Sequence, residues 1–85
     1  MVKFEYVIKD EIGIHARPAG MLAKTAKGFD SIITVEKDGK SAAATKLMAL
    51  MGLGVKCGDK VTVSAEGTDE QQAAEAMKKF FEDNL

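Results

Sequence analysis

Two adjacent residues, Asp38-Gly39, constrain the fold of this chain more than any other pair. They separate Ser31 to Lys37, which is β-branched and alternating, from Lys40 to Ala44, which reads as a short returning strand. An Asp-Gly dipeptide between two such runs predicts a tight β-hairpin. Two further stretches alternate in the same way. Val2 to Ile8 places Val2, Phe4, Tyr6 and Ile8 on one face, and Val61, Val63 and Ala65 alternate with Thr62, Ser64 and Glu66. Each strand thus has one apolar face, the pattern of an antiparallel sheet covered on one side only.

Three segments carry helical spacing instead. After Pro18, Ala19, Leu22, Ala23 and Ala26 fall at offsets 0, 3, 4 and 7, predicting a helix from near Ala16 to Lys27 with Pro18 in its first turn. Gly28 suits the left-handed position that follows a helix, and Lys24 and Lys27 face the negative end of its dipole. Thr45 is placed to cap a short second helix in which Leu47, Leu50 and Met51 share a face and Met48 falls off it, before Gly52 and Gly54. Thr68 with Gln71 three residues on has the capping-box pattern, ahead of Ala73, Ala76, Met77, Phe80 and Phe81. The order is strand, helix, strand, strand, helix, strand, helix. With one apolar stripe per helix, this predicts an α+β fold.

Length and composition exclude several classes. Residues 1–85 suit one domain, and with 46% hydrophobic and 29% charged residues the chain is too apolar for intrinsic disorder. A formal net charge of -1 gives no general reason to expect nucleic acid or anionic membranes as partners. Cys57, the single cysteine, can form no internal disulfide and no zinc cluster, and reads as a structural thiol. The N-terminus lacks a signal-peptide core, and no run approaches the roughly 20 apolar residues of a membrane helix, so a cytoplasmic protein is expected.

The chemistry concentrates in Gly13 to Gly20, which holds the only histidine, the only arginine and the only proline. The predicted helix start puts His15 at its mouth. Unpaired N–H groups and the macrodipole there favour an anion, phosphate above all, and the forked donors of Arg17 suit a second clamp. A solvated or merely capping histidine is the plain alternative, and the spacing alone leaves both open.

The segment Gly-Ile-His-Ala-Arg-Pro-Ala resembles the active-site signature of the HPr family, the histidine-containing phosphocarriers of the bacterial phosphotransferase system. The resemblance continues through Lys24, Lys27 and Phe29, the Val-Glu-Lys-Asp-Gly-Lys turn, Leu47-Met48, Met51 to Gly54 and the final helix, covering essentially the whole chain. It implies an open-faced β-sandwich: four antiparallel strands in spatial order 1-4-2-3 with three helices on one face. It also implies a mechanism. His15 would accept a phosphoryl group on Nδ1 from phosphorylated Enzyme I, itself charged by phosphoenolpyruvate, and pass it to sugar-specific IIA domains. Arg17 and Pro18 would serve the transfer, with Ala16 and Arg17 holding the phosphate. Partners would dock on Ala16, Gly20, Lys24, Lys27, Leu47, Met48 and Met51. Neither metal nor cofactor is implied, and a monomer is expected.

Two other readings stand beside the carrier. One is an HPr-like regulatory binding module not engaged in sugar transport. The other, weaker, is a catalytic domain with His15 as general base, for which the chain offers no recognisable second group. One departure from the family is plain: many members carry a serine, the target of a regulatory kinase, where this chain has Lys46 after Thr45. That switch is therefore not expected here.

Overall fold

The hairpin is where the sequence places it. In the computed structural model, which describes residues 1–85, β2 (Ile32–Lys37) and β3 (Lys40–Ala43) pair antiparallel, closed by Lys37 opposite Lys40. Asp38 (φ 51°) and Gly39 (φ 81°) both take the positive φ that a type I′ turn demands. β1 (Val2–Val7) and β4 (Lys60–Glu66) complete a four-stranded antiparallel sheet in the order β1-β4-β2-β3. Register sets which residues share a face: Phe4 lies opposite Val63, and Val63 opposite Val35. Ile33, Val35, Ala42, Val61, Val63 and Ala65 are buried on the inner face. Lys3, Glu5, Glu36, Thr62 and Ser64 lie on the other, which stays open.

Three helices cover the inner face. α1 (Ala16–Ala26) buries Pro18, Ala19, Leu22, Ala23 and Ala26, and α3 (Glu70–Asn84) buries Ala73, Ala74, Met77, Phe80 and Phe81. The short α2 (Leu47–Gly52) buries only Leu50, helped by Leu53 just beyond it. Ala19, Leu22, Ala26, Leu50, Leu53 and the buried residues of α3 join Ile8, Ile14, Val55, Leu85 and the sheet residues in one core cluster. No helix is long and apolar enough to cross a membrane.

Five local expectations are corrected. Gly28 is not left-handed: Gly28 and Phe29 donate to the carbonyls of Thr25 and Ala26, so tight i to i+3 bonds satisfy the end of α1 without a positive φ. Thr45 does not cap α2, because Lys46 occupies that position and makes no side-chain cap bond. Leu47 and Met51 share no buried face with Leu50, since six residues are too few to turn a broad stripe inward and both remain partly exposed. Cys57 is exposed, its thiol 3.8 Å from the Lys9 carbonyl, so it is no core thiol. The fifth concerns α3, where Asp69 rather than Thr68 stands before the first turn and Glu70 rather than Gln71 reaches back, accepting a bond from the Gly67 N–H at 3.3 Å.

Asp69 is used elsewhere. Its carboxylate accepts the N–H of Asp30 and of Ser31, each at 2.9 Å, and the Ser31 hydroxyl, clamping the lead-in to β2 onto the start of α3. The Ser31 hydroxyl first, then the two N–H groups, hold the Asp69 carboxyl below the usual aspartate range. A depressed folded-state pKa adds stability above the unfolded value near 3.9 and loses it as pH falls through the folded value. Wild type should therefore lose stability below about pH 4 more steeply than Asp69→Asn. Urea midpoints measured from pH 2 to 6 check this, and parallel curves for the two proteins would remove Asp69 from the acid response.

Candidate functional site

The site is built from the loop that leads into α1. Gly13 has φ +84°, and a Cβ there would come within 2.3 Å of the Val55 carbonyl oxygen, so only glycine allows this approach. Ile14 follows, buried, and donates its N–H to the same oxygen at 3.1 Å. Val55 is itself held in place: the Lys37 ammonium bonds the Gly54 carbonyl at 2.9 Å and pairs with Asp59 at 2.8 Å, and Asp59 also accepts the Lys56 N–H. A rigid seat therefore delivers the next residue, His15, in extended conformation (φ −126°, ψ −175°) as the residue preceding α1.

His15 opens the helix without capping it. Its carbonyl accepts the Ala19 N–H at 2.9 Å, but its imidazole forms no hydrogen bond, and the N–H groups of Ala16 and Arg17 have no protein acceptor. Pro18 has no N–H to offer. Two unpaired donors at the positive end of a helix dipole thus flank a free, half-buried imidazole. Arg17 is exposed and makes no ion pair, leaving its guanidinium free for an incoming anion. A shallow depression of about 260 Å³ collects His15, Arg17 and Pro18 with Asp10, Met21 and Asn84.

A second concavity, of about 560 Å³, runs between α1 and α2. Gly20, Ala23, Lys24 and Lys27 line it from α1, and Thr45, Lys46, Leu47 and Met48 from the other side. Five of the seven residues expected to meet partners converge there: Gly20, Lys24, Lys27, Leu47 and Met48. Ala16 and Met51 do not line it; each is exposed on its own helix. The groove contains three lysines and no acid, and Met48 is 77% exposed beside them. Asp10 and Asn84 escaped the sequence reading because they lie 74 positions apart and no spacing rule joins a turn to the end of a helix; Met21, one helical turn after Arg17, carries no chemistry that marks it.

A family model described as the PTS HPr component phosphorylation site matches residues 2–83. The chain belongs to the HPr family. Among relatives, the HPr phosphocarrier of Mycoplasma capricolum is 40% identical over 83 residues, spanning 98% of this chain and 93% of its own. HPr-C-His of Thermoanaerobacter tengcongensis superposes with a TM-score of 0.92 at 44% identity, covering 96% of this chain and 92% of that one. The histidine-containing phosphocarrier of a Mycoplasma gives 0.93 at 39%, covering 96% and 93%. The expected open-faced HPr fold, with its strand order 1-4-2-3, is the fold observed.

Proposed function

We propose that His15 is the phosphoryl acceptor, taking the group from phosphorylated Enzyme I and handing it to sugar-specific IIA domains in the cytoplasm. One observation supports this above the rest: the unpaired imidazole stands beside the acceptor-free N–H groups of Ala16 and Arg17. In the transfer the Nδ1 lone pair of a neutral His15 attacks phosphorus as the donor's P–N bond breaks. The electron pair of that bond stays on the donor nitrogen, which gains a proton, while the His15 ring gives one up. The N–H groups and the Arg17 guanidinium steady the equatorial oxygens, while Pro18 fixes the backbone of the first turn. Incubation with Enzyme I and phosphoenolpyruvate should add one acid-labile phosphoryl group by intact mass, and a IIA domain should then remove it. Uptake without onward transfer would favour the regulatory module instead.

The groove between α1 and α2 suits an acidic partner with an apolar centre. Lys24, Lys27 and Lys46 steer encounter, and Met48 supplies adaptable contact area. Met48→Glu should weaken binding to Enzyme I about tenfold or more, because it buries a carboxylate against like charge, and should leave folding unchanged since Met48 touches no core. An NMR titration with unchanged affinity would take Met48 out of the interface.

A further inference from the structure

Asp10 is an unexpected neighbour for a phosphoryl group. It lines the same depression as His15 and Arg17, and those three are the only charged or titratable side chains there. It is also held firmly: its N–H donates to the Leu85 carbonyl at 2.8 Å, its carbonyl accepts the Gly13 N–H at 3.1 Å, and its Oδ1 accepts the Ile12 N–H at 2.9 Å. Arg17 does not neutralise it, since no ion pair joins the two. With a neutral imidazole, the charged side chains lining the depression, Asp10 and Arg17, therefore sum to zero before any phosphoryl group arrives, unlike a site built to retain one.

We infer that Asp10 is an electrostatic tuning residue that raises the free energy of phosphorylated His15 and so keeps the group transferable. This rests on the reading of His15 as phosphoryl acceptor. At a separation on the order of 7 Å, the repulsion in water between a doubly charged phosphoryl group and a carboxylate shifts an equilibrium by a factor of about seven. Salt screens it. The attraction of Arg17 and the helix start draws the group in, and the repulsion of Asp10 limits how deeply it is trapped.

The test is an equilibrium measurement rather than a rate. Catalytic Enzyme I, a fixed phosphoenolpyruvate to pyruvate ratio and the full chain are brought to equilibrium, and the phosphorylated fraction is read by intact mass. Asp10→Asn keeps an oxygen to accept the Ile12 N–H and removes the charge. It should raise the ratio of phosphorylated to free protein about three- to tenfold at low ionic strength, converging on wild type at high salt. Asp10→Ser, a second neutral acceptor, should shift the ratio alike, and stands in should Asp10→Asn fail to fold. An unchanged or lowered ratio, or a rise that ignores salt, would make Asp10 a loop brace only and overturn the inference while leaving the carrier reading intact. No uptake by wild type would instead overturn the carrier reading, and this inference with it.

Discussion

His15→Ala should take up no phosphoryl group at all from Enzyme I and phosphoenolpyruvate, yet melt within about 4 °C of wild type. The two halves of this result have separate causes. Uptake vanishes because no other imidazole exists in the chain, and neither the N–H donors nor Arg17 can act as a nucleophile. Stability survives because the imidazole makes no hydrogen bond, caps no helix N–H and stands outside the core cluster, so its loss removes no paired group. The contacts that position it belong to the Gly13, Ile14 and Val55 backbone, which alanine at 15 does not touch. Intact mass and thermal melting read the two quantities independently. A labelled His15→Ala protein would refute the assignment, and a large loss of melting temperature would show the side chain to be structural.

Phe81→Ala should do the reverse. Phe81 is fully buried, and its ring meets Phe4, Tyr6 and Phe80 edge-on at centroid distances of 6.1, 5.6 and 6.3 Å. It bolts α3 to β1. Truncating such a side chain costs about 3–5 kcal/mol, from lost transfer energy plus a cavity that these neighbours cannot fill. For a chain of this length that is a large part of a total stability of roughly 4–13 kcal/mol. The melting temperature should fall by about 15–30 °C, and the urea midpoint should drop with an unchanged slope. At a temperature where the variant is still folded, phosphoryl uptake should stay near wild type, because Phe81 lines neither concavity. A loss under about 1 kcal/mol would mean that α3 repacks, contrary to the interior density expected of a folded core.

The sheet was legible because strand alternation and an Asp-Gly turn are local signals, and tertiary packing agreed with both. His15, Arg17 and Pro18 were legible for a similar reason: a helix start brings neighbours in sequence together in space. The caps failed on competition. Asp69 takes the position before α3 with its carboxylate committed to Asp30 and Ser31, the latter 38 residues away, and Glu70 rather than Gln71 reaches back to the Gly67 N–H. Gly28 failed because another hydrogen-bond pattern met the same need. The order 1-4-2-3 followed only from family resemblance, since alternation fixes faces and not neighbours. Asp10 and Asn84 needed the closed fold, which brings the last turn of α3 beside the loop before α1.

On the proposed function, helix α1 carries transfer and docking on separate stripes. Arg17 and Met21 border the depression on one flank of the buried face, whereas Gly20, Lys24 and Lys27 border the groove on the other. At 100° per residue the two sets do not overlap. On the proposed function, substitutions at Gly20, Lys24 or Lys27 alter docking while leaving the side chains that border the phosphoryl site in place.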